Sequence, residues 1–301
     1  MQHVMQRCLS VVVLVCVASL AWAKSPLVLM TDFGLRDGAV SAMRGVAYGV
    51  DPTLNISDLT HEIPDYDIWT GAYRLYQTAN YWPKGTVFVS VVDPGVGTER
   101  TSIVLKTRTG HYFVNPNNGL LTLIAERDGI EEIRQIDEKA NRLKGSADSY
   151  TFHGRDVYAY TGARLAADAI RFDQVGPRLV NTVLVTLPYQ RAMLVGDTIK
   201  GGIPVLDIQY GNVWTNIPKA LFDQLAVRPG EAVRTRIFNK GKLIVETVAP
   251  YQSTFARVAE GQPLIYLNSL LNVAVALNQA SFAHRYHVSA GPDWSVEMTK
   301  E

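Results

Sequence analysis

The sequence predicts an α/β protein in two parts, a layered N-terminal α/β domain followed by a smaller β-rich domain. Three observations predict it. Strand-like and helix-like runs alternate from residue 27 to about residue 169. Near Arg191 the texture changes, and from there strand runs alternate with turn signals while helical periodicity is scarce. The first 23 residues have the composition of a leader. A chain of 301 residues, 47% hydrophobic and 19% charged, has enough apolar material for the cores of two modest domains. Its net charge of +1 gives no polyanion footprint, which argues against nucleic acid as a main partner.

The leader combines Arg7, an apolar run from Leu9 to Leu20, and Ala21-Trp22-Ala23 as a small-x-small cleavage site. The run is too short to serve as a permanent membrane anchor. The reading is a signal peptide over 1–23, cleaved after Ala23, with a mature chain that starts at Lys24 and is periplasmic or secreted. Cys8 and Cys16 both fall in the leader, so the mature chain has no disulfide, no cysteine metal site and no thiol nucleophile. Losing Arg7 leaves the basic and acidic residues equal in number.

In the N-terminal domain, drawn over 24–185, Leu27–Met30 reads as a buried strand that runs into Thr31-Asp32-Phe33-Gly34. Val40, Met43, Val46 and Ala47 recur at helical spacing. Asn55–Leu59 reads as a strand and Ile68–Asn80 as a helix. Thr86–Val92 is β-branched, bounded by Lys84-Gly85 and Asp93-Pro94-Gly95, and is the clearest strand of all. Strands follow at Ser102–Lys106, Tyr112–Val114 and Glu132–Ile136, and helices at Gly119–Glu126 and Val157–Ala169. Such alternation predicts a largely parallel sheet, with ligands beyond the carboxyl ends of its strands. Asp32 and Asp93 both open loops that follow strands, so both belong at that end. Pro177 and Pro188 bracket a connecting stretch. In the second domain, drawn over 190–301, strand runs lie at Val205–Tyr210, Val233–Phe238, Leu243–Val248 and Leu264–Leu267, with turn signals at Lys200-Gly201-Gly202 and Asn239-Lys240-Gly241. The last of these predicts a hairpin.

Five clusters carry polar chemistry. Asp32, at a strand end, suits the two hydroxyls of a ribose; it and Asp37 equally suit a helix cap. Asp93-Pro94-Gly95-Val96-Gly97-Thr98-Glu99-Arg100 reads either as a tight exposed-backbone loop with function or as a turn alone, and it lacks the Gly-Lys-Ser/Thr of a P-loop. His153, between Phe152 and Gly154, titrates near neutrality but has no partner visible in sequence. Asn117 or Asn118 caps the helix that follows. Tyr210-Gly211-Asn212-Val213-Trp214-Thr215-Asn216, with Asp207 upstream, reads as a purine site or as a hairpin turn with a half-buried tryptophan. No metal motif is present; His284 and His287 are an isolated pair, and no metal is expected.

Together these segments resemble one family: the S-adenosylmethionine hydrolases (hydroxide adenosyltransferases), relatives of fluorinase and chlorinase. TDFG at 31, DPGVGTER at 93, NPNNGLLT at 115, TFHGRD at 151, YGNVWTNI at 210 and YLNS at 266 run in the family's order. The resemblance implies a Rossmann-like α/β sandwich with a smaller β-barrel-like C-terminal domain, a homotrimer, and sites between one subunit's N-terminal domain and a neighbour's C-terminal domain. It implies that Asp32 holds the ribose hydroxyls, that Asp37 and Asp207 lie near the methionine amino group, and that Asn212 meets the adenine with Trp214 close by. Tyr66 stands where halogenating relatives have a tryptophan against the ribose, Phe255 where the family has an aromatic beside the adenine, and Ser269 joins the substrate contacts through its motif. Asp93, Arg100 and His153 match the hydrolase branch; halogenating relatives have tyrosines in place of Asp93 and His153. Gly154 replaces a serine of the fluoride site, and the extra loop of fluorinase is absent between Arg100 and Tyr112. Leu270 stands where halogenating relatives carry an arginine near the methionine carboxylate.

The activity so implied is hydrolysis of S-adenosyl-L-methionine to adenosine and L-methionine, by water attacking the ribose C5′ without a cofactor. Asp93 and His153 are expected to orient and deprotonate the water, and Arg100 to fix Asp93 and stabilise the developing anion. An exported compartment does not normally make this substrate. The competing readings are therefore an exported adenosyl- or nucleoside-binding protein without turnover, and a chlorinase.

Overall fold

The computed structural model describes residues 24–301; the leader and both cysteines lie outside the described residues. One seven-stranded sheet takes its strands from the first part of the chain. These are β1 (Leu27–Thr31), β2 (Ile56–Thr60), β3 (Val87–Val91), β4 (Ser102–Thr107), β5 (Tyr112–Pro116), β6 (Ile130–Gln135) and β7 (Arg178–Leu179), in spatial order β2-β1-β3-β5-β4-β6-β7. The helices are α1 (Ala39–Val50), α2 (Ile68–Thr78), α3 (Thr122–Asp128), the short α4 (Glu138–Asn141) and α5 (Tyr160–Ala166), the last entered through a π-helical turn over Gly154–Ala159.

Alternation along β1 sets the layers. Leu27 and Leu29 face a core shared with Met43 and Ala47 of α1 and Ala163 and Ala166 of α5. Val28 and Met30 face the opposite core, with Leu75 of α2 and Ile124 of α3. A strand buried on both faces reads as a continuous apolar run, as β1 and β3 do. The sheet is parallel only from β2 to β5; β4 and β5 form a hairpin, and β4-β6-β7 continue antiparallel. The expectation of a largely parallel sheet thus holds for the half that carries the loops after β1 and β3.

The second part supplies β8 (Met193–Val195), β9 (Thr198–Ile203), β10 (Val205–Asp207), β11 (Asn212–Pro218), α6 (Lys219–Phe222), β12 (Ala232–Asn239), β13 (Lys242–Pro250), β14 (Pro263–Leu267), β15 (Asn272–Leu277), α7 (Phe282–Tyr286) and β16 (Gly291–Lys300). They form two antiparallel sheets, β10-β11-β15-β14 and β13-β12-β16-β9-β8, packed on a common core that includes Val213, Val275, Val233, Ile237 and Val296. Among the described residues these sheets do not close into a barrel. The hairpin at Asn239-Lys240-Gly241 is present, with Lys240 and Gly241 both at positive φ. Lys200-Gly201-Gly202 is not a turn but the middle of β9. A Cβ on Gly201 would stand 2.8 Å from both Asn216 Oδ1 and Ile217 Cγ1, so glycine there allows close approach to β11.

Ala274 and Ala276 of β15 turn away from that core and join Trp214 and Tyr266 against Tyr73 of α2, which seats the four-stranded sheet on the first part of the molecule. Trp69 Nε1 donates to the Pro204 carbonyl at 3.0 Å and Arg74 Nη2 to the Leu206 carbonyl at 3.1 Å across the same seam.

Close packing of α5 on β3 rests on Gly162, where an added Cβ would meet Val89 Cγ2 at 2.3 Å. Gly162→Ala gains about 1 kcal/mol of helix preference but overpacks the core at a cost of about 1–3 kcal/mol. The expected net result is a lower urea midpoint with an unchanged m-value; a raised midpoint would show that Val89 yields freely.

Candidate active site

The parallel pairing of β1 with β3 places Thr31 opposite Val91, so the loops carrying Asp32 and Asp93 leave the sheet side by side. Thr31 Oγ1 accepts from the Phe33 amide at 3.1 Å and lies 2.8 Å from His61 Nδ1, while the His61 carbonyl accepts from the Gly34 amide at 2.8 Å. The TDFG loop is thereby tied to the end of β2. His61 is buried, and burial, helped by Arg44, pushes its pKa down to about 4. Its Nε2 lies 3.1 Å from Asp58 Oδ1, off the line of a hydrogen bond. Asp32 Oδ2 accepts from the Tyr66 amide at 3.0 Å. Burial raises the Asp32 pKa against the pull of that N–H, and the negative charges of Asp65 and Asp93 add to the rise. Tyr66 itself is exposed and has a left-handed backbone, φ 65°.

Arg100 grips both oxygens of Asp93, from Nε at 2.7 Å to Oδ1 and from Nη2 to Oδ2, with both side chains largely buried. Its Nη1 donates to Ser102 Oγ at 3.1 Å, and Ser102 Oγ meets the Tyr158 hydroxyl at 3.0 Å. The other N–H of Nη1 has no partner among the described residues. Gly97, at φ 78°, lets the loop pass the Tyr150 carbonyl, which would lie 3.2 Å from a Cβ. His153 opens the π-helical turn. Its Nδ1 is 3.0 Å from Arg100 Nη2 and its Nε2 is 3.0 Å from Arg142 Nη2. Burial is the main force lowering the His153 pKa; Arg100 and Arg142 also lower it, while Glu138 and Asp93 oppose them. Phe33 stacks edge-on against Phe152 at 5.8 Å, and a Cβ on Gly154 would come within 3.0 Å of the Phe33 ring, so the TDFG and TFHGRD loops pack as one unit.

Asp32, Tyr66, Asp93, Arg100 and His153 are therefore gathered at one end of the sheet. Asp37 stands apart, exposed at the start of α1, where its Oδ1 accepts from the Ala39 amide at 2.9 Å. Asn118 accepts from the Leu120 amide at 3.3 Å and donates to the Val92 carbonyl at 2.8 Å, while Asn117 ties down the Val183–Val185 segment. Arg142 was not legible beforehand: Glu138 and Arg142 have the i,i+4 spacing of an ordinary surface pair, and nothing in the sequence points to His153.

The second group lines a groove of about 760 Å³ on the four-stranded sheet, where Asp207, Asn212, Trp214, Phe255 and Ser269 meet Tyr266 and Asn268. Asp207 and Asn212 are paired across β10 and β11, and Asn212 Nδ2 donates to Asp207 Oδ2 at 3.1 Å. Phe255 lies against Tyr266 with ring centroids 4.9 Å apart, and burial pushes the Tyr266 hydroxyl up to about 12. Asn268 Oδ1 accepts from the amides of Leu270 and Asn272 at 2.9 and 3.1 Å. The lining of the groove includes none of the first group, so one chain holds two separate clusters. Among the described residues no group of three or more His, Cys, Asp or Glu is placed to hold a metal ion.

Residues 27–176 match the SAM hydroxide adenosyltransferase N-terminal domain and residues 201–295 the C-terminal domain of the same name. The (R)-S-adenosyl-L-methionine hydrolase of Methanocaldococcus jannaschii is 37% identical over 216 residues, covering 70% of this chain and 73% of that one. The hydrolase of the same name from Salinispora tropica is 36% identical, over 87% and 93% of the two chains. A fluorinase of Nocardia brasiliensis is 30% identical, over 89% and 95%. The crystal structure of an uncharacterized conserved protein from Thermotoga maritima superposes with a TM-score of 0.83 at 33% identity, covering 91% of this chain and 99% of that one.

His61 makes the loop geometry sensitive to acid. Its folded pKa of about 4 lies below the ordinary 6.5, so the unfolded chain binds more protons between those values. The stability due to neutral His61 is complete above pH 6.5 and is lost as pH falls toward 4. Urea midpoints measured from pH 7.5 down to 5 should fall more steeply in the wild type than in His61→Asn. Equal slopes would remove His61 from the account.

Proposed function

The chain belongs to the SAM hydroxide adenosyltransferase family, and from that premise we propose that it hydrolyses S-adenosyl-L-methionine to adenosine and L-methionine. The observation that carries the proposal is the buried Asp93–Arg100–His153 contact beside Asp32 at the carboxyl end of the sheet. In the reaction the C5′–S bond breaks, its electron pair stays on the methionine thioether, a C5′–O bond forms, and water gives up one proton. A sulfonium leaves without acid assistance, so the demand falls on the nucleophile. Free water has a pKa of about 15.7, and its attack gains from being held in line with C5′–S and polarised.

Asp32, with Oδ2 occupied by the Tyr66 amide, offers Oδ1 to the ribose hydroxyls. Asp93 accepts the hydrogen bond, and with it the proton, of the attacking water, while the uncommitted N–H on Arg100 Nη1 faces the developing oxyanion. His153 has a guanidinium against each ring nitrogen. It serves this site as a neutral hydrogen-bond partner that fixes Arg100, and the proton-accepting part falls to Asp93. No cofactor or metal enters these steps.

Adenine and methionine belong to the groove of Asp207, Asn212, Trp214, Phe255 and Ser269. A place for Asp37 beside the amino group rests on the family resemblance and needs the loop before α1 of a neighbouring subunit. The family resemblance implies a homotrimer in which one subunit's groove faces its neighbour's Asp93 loop, and the separation of the groove from Asp93 within one chain is compatible with that reading. The exposed Leu35, Tyr66 and Val96 around one half-site, and Ile208, Tyr210 and Leu271 around the other, support that reading. The leader is read as an export signal, with a periplasmic or secreted product that begins at Lys24. No helix among the described residues is long and apolar enough to cross a membrane.

The purified chain from Lys24, given S-adenosylmethionine with and without chloride, should release adenosine at the same rate in both. A chloro-adenosine product would place it with the halogenating relatives, and binding without turnover would make it a receptor. Asp93→Ala is expected to lower kcat by about two orders of magnitude or more. The shared site has its own test: Asp93→Ala and Asn212→Ala chains, each inactive alone, should regain activity when refolded together, and failure to do so would place both half-sites' work within one subunit. For the leader, N-terminal sequencing of the protein from the periplasm or medium should begin at Lys24; an intact Met1 in the cytoplasm would overturn export.

A further inference from the structure

Arg142 follows α4 and is held on three sides. Nε and Nη2 both donate to Glu138 Oε2, the former at 3.0 Å; Nη1 reaches the Ser149 carbonyl at 3.4 Å; and the guanidinium lies over the Tyr150 ring, 4.6 Å from its centroid. Its side chain is 7% exposed. A cation so anchored cannot swing away from His153, whose Nε2 it approaches at 3.0 Å, and on the far side of the ring Arg100, locked to Asp93, approaches Nδ1 at 3.0 Å.

Guanidinium groups donate and never accept. An imidazolium between them would set N–H against N–H on both sides and add a third positive charge to a buried space. A neutral ring keeps one lone pair and accepts on that side. We propose that Arg142, braced by Glu138, is a positioning residue that holds His153 neutral and thereby keeps Arg100 committed to Asp93 and aimed at the nucleophile. The inference rests on the reading of Asp93 and Arg100 as the water-activating pair.

The groups that face the ring are Asp93 and Arg100 from the loop after β3, and Glu138 and Arg142 from α4 and its end. The edges of Tyr150 and Tyr158 complete the enclosure, with centroids 6.0 and 6.4 Å away. Tyr158 stays neutral, since burial raises its pKa and outweighs the lowering by Arg100 and by the hydrogen bond with Ser102. Removing the Arg142 charge leaves two carboxylates against one guanidinium, and the ring then takes a proton more readily. Once charged, it repels Arg100 and competes for Asp93. Loss of Arg142 therefore acts at acidic pH first, through His153.

The test uses Arg142→Gln and Arg142→Lys in the otherwise complete mature protein, with two readouts. In histidine-labelled protein without substrate, the His153 resonance, assigned by its absence in His153→Asn, should titrate below the ordinary histidine value in the wild type. It should move up by about one unit in Arg142→Gln and return toward the wild-type value in Arg142→Lys. In turnover, kcat of Arg142→Gln should fall about tenfold at pH 6 with KM within twofold, recover at pH 9, and be partly rescued in Arg142→Lys. A His153 titration that does not move in a variant with wild-type unfolding midpoint would overturn the proposal. So would a drop in kcat that is equal at every pH. Should Arg142→Gln fail to fold, the Arg142→Lys titration decides: a His153 value moved below the wild type's would sink the idea. Because the titration needs no substrate, it separates this inference from the assignment of S-adenosylmethionine hydrolysis, which the wild-type product analysis tests alone.

Discussion

The parallel pairing of β1 with β3 is the constraint on which the site depends. Both strands are buried on both faces, so a slip of one residue would send Leu27 and Leu29 into the wrong layer and misplace every apolar side chain of the pair. That penalty fixes the register, and the register fixes where the chain first escapes the sheet: just past Thr31 on one strand and past Val91 on the next. Two carboxylates, Asp32 and Asp93, are thus set near one another by the packing of hydrocarbons. The cost appears in Asp32, whose raised pKa reflects burial together with the neighbouring acids. The fold tolerates it because Asp93 is matched at once by Arg100.

From Asp93 outward the groups run carboxylate, guanidinium, imidazole, guanidinium, carboxylate, ending at Glu138, with the ring between two cations that are each held by an acid. In a partly dehydrated space such pairs interact more strongly than at the surface, and removing one member exposes the next. The sequence of contacts draws on the loop after β3, on α4 and on the turn before α5. The loop after β3 lies some way along the chain from the other two, and its convergence with them is helped by α5 packing tightly against β3 through Gly162. A core glycine and the Asp93–Arg100 contact are linked in this way by geometry alone.

What the sequence disclosed follows from how local the signals are. The first six strands of the first sheet and the helices α1 and α2 were legible because periodic burial leaves its mark within a few residues, whereas the two-residue β7 lay in the stretch read as a connection; the common end of Asp32 and Asp93 followed from strand-then-loop order. The antiparallel half of the sheet was not, because whether β5 returns beside β3 or beyond β4 is a long-range choice. In the second part, Gly201-Gly202 looked like a turn because glycine permits one; its actual reason, the nearness of Asn216 and Ile217, lies in another strand. β15 and β16 carried too little turn punctuation around them to stand out. The site residues were found by motif, Arg142 had none, and the two ring nitrogens of His153 facing two cations could be seen only in three dimensions.

By its charge balance, the proposed division into half-sites would suit a sulfonium substrate. Arg100 and Arg142 are each cancelled by a carboxylate, so the first half-site presents Asp32 as its uncompensated charge, and in the groove of the second Asp207 is the ionisable acid. In the proposed assembly, where the two clusters would face one another, they would offer an acidic cavity to a molecule that carries positive charge on sulfur and on its amino group. When the C5′–S bond breaks, the sulfur becomes neutral, and its share of that attraction disappears at the moment chemistry is complete. The same acids that draw the substrate in then hold the products less tightly, so binding and release are governed by one electrostatic arrangement, with Arg100 kept from disturbing it by its bond to Asp93.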